Sequence, residues 1–168
     1  TTKLSEESEG YTLNGKKQLV LDGGSANQLI VVCRSSGART DREGLSIVAV
    51  DAKAKGVVVK NNLLLDGSRA ANIEFQDVLV SKEDLIGALG QGADTLDQLY
   101  AQASVALSSE MLGSAQTAFE MTLEYLKVRE QFGAKIGSFQ GLKHRASRWF
   151  CEIELSKSIV LKALRAID

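Results

Sequence analysis

Arg129-Glu130-Gln131-Phe132-Gly133-Ala134-Lys135-Ile136-Gly137-Ser138-Phe139-Gln140 joins two long helical patterns. Its surroundings are basic. Between residues 127 and 148, Lys127, Arg129, Lys135, Lys143, Arg145 and Arg148 stand against a single acid, Glu130. The 168-residue chain has a formal net charge of −1, so this positive charge is local. A helix beginning at Ser138 would add oriented N–H groups and a positive dipole end, which suits a phosphate or pyrophosphate. Arg129 has the planar fork to hold such a group through two hydrogen bonds. Charge and spacing alone fit a solvated basic face as well, so the order of residues has to decide.

On the N-terminal side the pattern predicts a helix from about Thr95 to about Glu130, capped by Asp94 and stopped by Gly133. Leu96, Leu99, Ala103, Ala106, Met111, Leu112, Ala115, Phe119, Leu123 and Leu126 recur at helical spacing. At ~1.5 Å per residue such a helix is roughly 50 Å long, too long for a small compact domain. On the C-terminal side a second helix follows Gly137-Ser138. Its stripe is Phe139, Leu142, Ala146, Trp149, Ile153, Ser156, Val160, Ala163 and Ile167. Steps of three and four alternate without a break, the seam of a near-antiparallel bundle. The seam either packs on the first helix or awaits further helices. In the second case Phe139, Trp149, Ile153 and Val160 are exposed and the chain self-associates.

Before residue 90 the sequence changes character. Tyr11–Leu13 and Gln18–Leu21 flank Asn14-Gly15, a dipeptide suited to a hairpin turn. Gln28–Arg34, Leu45–Asp51, Gly56–Val59 and Asn72–Val80 are further strand-like runs, bounded by Gly, Asn, Asp or Ser. Strands without intervening helices indicate an antiparallel sandwich or barrel. Asp22-Gly23-Gly24 reads as a turn, because no helix follows it. The expected organisation is α+β: an antiparallel β-barrel or sandwich over residues 1–90, then two long antiparallel helices of an incomplete four-helix bundle over 91–168. Gly87, Gly90 and Gly92 mark the hinge.

Composition narrows the function. At 44% hydrophobic and 24% charged, it is that of a globular protein with a normal core. Near-neutral charge gives no pull toward nucleic acid, and no apolar run is long enough to span a membrane. Cys33, Cys151 and the single His144 do not form a zinc-ligand spacing. Two reduced, buried thiols and a cytoplasmic location are expected. His144 lies off the apolar stripe and reads as a surface residue. Trp149 lies on the stripe and reads as core.

The order Arg-x-Gln-Phe-Gly-x-x-Ile-x-x-Phe-Gln resembles the dimer-contact motif of the acyl-CoA dehydrogenase family. Leu13-Asn14-Gly15-Lys16-Lys17 resembles the hairpin before that family's flavin-contacting strand. Ala71-Asn72-Ile73-Glu74-Phe75-Gln76-Asp77-Val78-Leu79-Val80, with Leu85-Ile86-Gly87, resembles the end of its β-domain. The resemblance runs from about Glu9 to Asp168. It implies an FAD-dependent α,β-dehydrogenation of acyl-CoA thioesters, in which a base takes the α-proton and the flavin takes the β-hydrogen as hydride. It implies an oligomer in which Arg129, Gln131, Phe132 and Gln140 reach the FAD of a neighbouring subunit. An electron-transfer flavoprotein is the implied redox partner.

The sequence also departs from the family. Leu19 stands where the resemblance implies a tryptophan on the flavin, and Leu21 where it implies a hydroxyl near the ring. Ala101 and Ser104 stand where an Asp and an Arg contact substrate in many members. The glutamate base of most members is expected beyond residue 168. Two readings stay open: an acyl-CoA dehydrogenase fragment, itself inactive, or a degenerate subunit that contributes to a partner's flavin site or to assembly.

Overall fold

The computed structural model describes residues 2–167 and divides into two compact units, Thr1–Asp97 and Gln98–Asp168. The first unit is built on one seven-stranded sheet. Its strands are β1 (Lys3–Glu7), β2 (Gly10–Leu21), β3 (Gln28–Arg34), β4 (Leu45–Asp51), β5 (Val57–Leu63), β6 (Arg69–Val80) and β7 (Leu85–Ile86), in the spatial order β5-β6-β2-β1-β3-β4-β7. All pairs are antiparallel except one. β1 meets β3 in parallel at Lys3 and Arg34, so the sheet is mixed rather than purely antiparallel.

The sheet curls on itself. β4 lies against β6 although three strands separate them in the ladder. Its concave face holds one core of Leu4, Tyr11, Leu13, Leu29, Val31, Cys33, Val48, Val50, Ala71, Ile73, Phe75, Val78 and Val80. Period-two alternation selects these residues. In β3, Leu29, Val31 and Cys33 point inward while Ile30 between them is 61% exposed.

The expected hairpin at Asn14-Gly15 is not there. Both residues lie inside the continuous strand β2, and the ladder to β6 shifts register between Leu13 and Gly15. A bulge takes the place of a turn because β6 is itself twelve residues long and pairs with β2 along its length. The turn that folds β2 back lies earlier, between β1 and β2.

Arg34 is buried and pairs with no carboxylate among the described residues. Its guanidinium donates to the carbonyls of Glu43 (2.6 Å) and Asp41 (2.8 Å), and so shapes the loop over 35–44. Arg42 on that loop pairs with Asp94 at 2.6 Å and with Asp97.

The helix α1 runs Gly92–Val128 and α2 runs Gln140–Ile167. α1 starts two residues before Asp94, which therefore lies in the first turn rather than at the cap. In the second unit the helices pack antiparallel. Phe119 meets Trp149 edge-on at 5.2 Å, and it is tilted against Phe150 at 6.2 Å. Phe119 and Ile153 are buried, and Leu142, Ala146, Trp149, Val160 and Ala163 are half-covered. The middle of the α2 seam is thus covered by α1 within the chain. Of the four seam residues expected to be left exposed, Trp149, Ile153 and Val160 are covered or half-covered, which corrects that expectation for them, while Phe139 is exposed. Most of the uncovered apolar residues lie off the seam, among them Leu107, Met111, Met121, Leu155 and Ile159.

Cys33 is buried, as read. Cys151 is exposed on α2, because it lies off the seam. No helix is long and apolar enough, among the described residues, to cross a membrane.

Candidate functional site

The residues singled out from sequence fall in two places, one in each unit. In the second unit α1 ends at Val128, although the Arg129 N–H still donates to the Tyr125 carbonyl at 2.9 Å. The chain then forms a minimal hairpin. β8 (Glu130–Gln131) pairs with β9 (Ala134–Lys135) in the register Glu130 to Lys135 and Gln131 to Ala134. The Ile136 N–H donates to the Arg129 carbonyl at 2.9 Å and closes its base.

The two turn residues, Phe132 (φ 55°) and Gly133 (φ 74°), are both left-handed, the geometry of a two-residue primed turn. Gly133 takes this φ without strain. Phe132 does not, because its Cβ crowds the backbone there. Gly133 therefore belongs to the turn and is not the stop of α1. The reading from helical periodicity missed the hairpin, since two-residue strands leave no periodic signal.

The hairpin displays its side chains. Arg129, Gln131 and Phe132 are exposed, Phe132 to 94%. Phe132 leans edge-on toward Phe139 with centroids 6.3 Å apart. The Gln131 amide donates to the Glu130 carbonyl at 2.8 Å. A short 3-10 turn, Ile136–Ser138, leads into α2, whose first residue is Gln140. The helix therefore starts after Phe139, not at Ser138. The Phe139 carbonyl accepts from the N–H groups of Leu142 and Lys143, both at 3.1 Å. Ser138 instead donates its hydroxyl to the Lys135 carbonyl at 2.7 Å. Gly137 makes this entry compact. A Cβ there would stand 2.6 Å from the Leu126 carbonyl oxygen.

A cleft of about 560 Å³ opens between the end of α1 and the start of α2. Leu123, Leu126 and Ala146 line it together with Lys127, Lys135 and Lys143. Lys127 is paired with Glu124 at 2.6 Å. Lys135 and Lys143 stand in no ion pair among the described residues. The structure thus brings Arg129, Gln131, Phe132 and Gln140 to one exposed, cation-rich end of the helix pair. Such a set of groups could hold an anionic nucleotide. It offers a guanidinium for phosphate oxygens, two side-chain amides and an aromatic edge pair.

The other two residues are in the first unit, on β2. Leu19 has φ 51° and sits in a second bulge, where the β2–β6 register shifts between Lys17 and Val20. A left-handed leucine is a strained backbone. The bulge is held by Asn72, a residue the sequence reading passed over. Its side-chain oxygen accepts the Leu19 N–H at 3.1 Å. Leu19 and Leu21 are 61% and 68% exposed. Beside them Lys17 is half-buried and donates to the Val32 carbonyl at 2.6 Å. Burial lowers its pKa, against a smaller opposing influence of Cys33. Burial likewise pushes the Cys33 thiol up to about 11.

The donor set of this strand does not fit a flavin ring. Neither leucine has a hydroxyl or an aromatic face, and the Leu19 backbone donor is already taken by Asn72. At the positions where the resemblance implies substrate contacts, Ala101 has no polar group and the Ser104 hydroxyl donates to the Tyr100 carbonyl at 2.6 Å.

Comparison with known proteins covers both units. The family described as "Acyl-CoA dehydrogenase, middle domain" matches residues 1–78, and "Acyl-CoA dehydrogenase, C-terminal domain" matches residues 90–168. The chain is 26% identical to the short/branched chain specific acyl-CoA dehydrogenase, mitochondrial, of Bos taurus, over 99% of this chain and 39% of that protein. It is also 26% identical to the caffeyl-CoA reductase-Etf complex subunit CarC of Acetobacterium woodii, over 100% of this chain and 45% of that one. The solved structure of PigA with FAD and proline superposes with a TM-score of 0.91 at 25% identity, covering 96% of this chain and 43% of that one. The chain spans about two fifths of the length of these relatives.

Proposed function

The chain belongs to the acyl-CoA dehydrogenase family, and on that premise we propose that it serves a flavin-dependent α,β-dehydrogenation of acyl-CoA thioesters. The observation that carries this reading is the hairpin. An exposed guanidinium, two amides and an edge-on aromatic pair converge there, in a segment that lies within the match to the family's C-terminal domain. FAD, when bound, supplies the acceptor for the β-hydrogen. The chain's own part is to hold and orient. Arg129 grips phosphate oxygens as a bidentate donor. Gln131 and Gln140 offer amide hydrogens, and Phe132 with Phe139 walls the nucleotide from water. Lys135 and Lys143 add positive potential near the same end, which favours an anionic cofactor.

Three further elements belong to the proposal. The substrate is an acyl-CoA thioester, and it must be recognised without charged contacts from positions 101 and 104. The flavin lies between chains, so the working form is an oligomer. The reduced flavin is reoxidised by an electron-transfer flavoprotein. The last element is supported by the relative whose name places it in a complex with such a protein.

The test is acyl-CoA-dependent dye reduction by the full-length protein, purified under native conditions with whatever subunits accompany it, over acyl chains of increasing length. Activity with at least one acyl-CoA is expected. A flavin-containing preparation that reduces dye with none of them sinks the proposal.

A further inference from the structure

The two half-sites on this chain are unequal. The hairpin presents the groups that a nucleotide needs. The β2 edge presents two exposed leucines, a strained bulge and a backbone donor already satisfied by Asn72. A bulge at such a place normally re-aims a side chain for use. Here the bulge is present, while neither Leu19 nor Leu21 can hydrogen-bond to or stack on a ring.

We infer that this chain lends its hairpin to a flavin seated by a different chain of the same fold, and does not seat a flavin ring on its own β2. The inference rests on the proposed function above and adds the identity of the partner. That partner is a second, non-identical subunit whose equivalent strand carries an aromatic side chain and a hydroxyl. Two copies of this chain would each bring a hairpin and neither would bring a ring seat. A mixed pair has one complete site.

Leu19 and Leu21 are both exposed, so replacing them leaves the core of the first unit intact. Restoring an aromatic face and one hydrogen bond should tighten flavin binding about tenfold or more.

Complementation within the protein itself tests the inference, read as 450-nm absorbance per chain after excess FAD is added and free cofactor removed. Three full-length proteins are compared: the wild type, Leu19→Trp/Leu21→Thr, and Leu19→Trp/Leu21→Thr/Arg129→Ala/Gln140→Ala. The wild type alone should hold little flavin, and the double variant should hold much more. The quadruple variant has a ring seat and no working hairpin, so it should again hold little. Mixed with wild type and reassembled, it should regain flavin in proportion to mixed pairs, because the wild-type hairpin completes its site.

Stoichiometric flavin on the wild type alone overturns the inference. So does a mixture that binds no more than its two components, or a folded double variant that gains nothing. If the double variant fails to fold by circular dichroism, Leu21→Thr alone is read instead, with the same expected gain in direction. None of these outcomes depends on acyl-CoA turnover, so the proposed reaction stands or falls separately.

Discussion

Asn14 and Asp77 exchange two hydrogen bonds across the β2–β6 ladder. The Asn14 amide donates to the Asp77 carboxylate at 2.9 Å, and the Asp77 N–H donates to the Asn14 side-chain oxygen at 2.9 Å. Asp77 is left-handed, with φ 47°, so the pair locks a bulge where both strands depart from regular geometry. Asn14→Ala removes both bonds and leaves the strained Asp77 backbone to water. A loss of about 1–2 kcal/mol is expected in denaturant unfolding of the first unit. Asn14→Asp should cost more, because two carboxylates then face each other. Equal stability of Asn14→Asp and wild type at neutral pH would count against this lock.

Phe119 is the centre of the helix pair. It is 8% exposed and touches Trp149 and Phe150. Phe119→Ala should destabilise the second unit by about 3–4 kcal/mol through lost transfer energy and a cavity. Phe119→Leu should recover part of this. Thermal unfolding followed at 222 nm measures both.

Arg129 should matter for flavin and not for folding, since it is exposed at the base of the hairpin. In an assembly that holds FAD, Arg129→Ala should weaken binding by about ten- to a hundredfold. Arg129→Lys should recover only a fraction, because an ammonium is a single donor point without the fork. Fluorescence titration with FAD separates the two. Equal loss in melting temperature and in affinity would indicate a structural role instead.

Phe132 sets stability against function. Its left-handed φ favours Asn or Gly at that turn position. Phe132→Asn should stabilise the hairpin by about 1 kcal/mol and at the same time lower flavin affinity, by removing the exposed ring. Amide hydrogen exchange across Glu130–Lys135 reads the first effect and titration the second. A stabilised hairpin with unchanged affinity would remove Phe132 from the site.

Cys33 should give an alkaline dependence. Its thiol is raised from an ordinary 9.0 to about 11 by burial. A raised folded value means that the folded state keeps a proton the unfolded state has lost. Stability from Cys33 is therefore complete below pH 9 and falls as pH rises toward 11. The stability advantage of wild type over Cys33→Ala should shrink by on the order of 1–2 kcal/mol between pH 9 and pH 11. Lys17, whose value is lowered, acts in the opposite sense, so the difference between the two proteins is the quantity to follow. A constant difference across that range would show that Cys33 is not shielded from water.

The amino-acid order alone carries the division into a β-rich half and a helical half, the bounds of β3 and β4, the seam of α2 and the family. All of these are written in local periodicity or in residue order. Period-two burial picks out Leu29, Val31 and Cys33, and alternating steps of three and four pick out Leu142, Ala146, Trp149 and Ile153, with no need to know what covers them. The rest depends on contacts between distant parts of the chain. Asn14-Gly15 has the composition of a turn, yet it becomes a bulge, because Asp77 lies 63 positions away in sequence and bonds back to Asn14. Phe132-Gly133 looked like the end of a helix and is the tip of a hairpin, closed by the bond from Ile136 to Arg129. Leu19 could be identified as a departure from the family. Its strained bulge could not, because the backbone donor is claimed by Asn72 on the neighbouring strand. Local pattern fixes which face of an element is apolar. Which distant partner completes a bond is settled only when the strands meet.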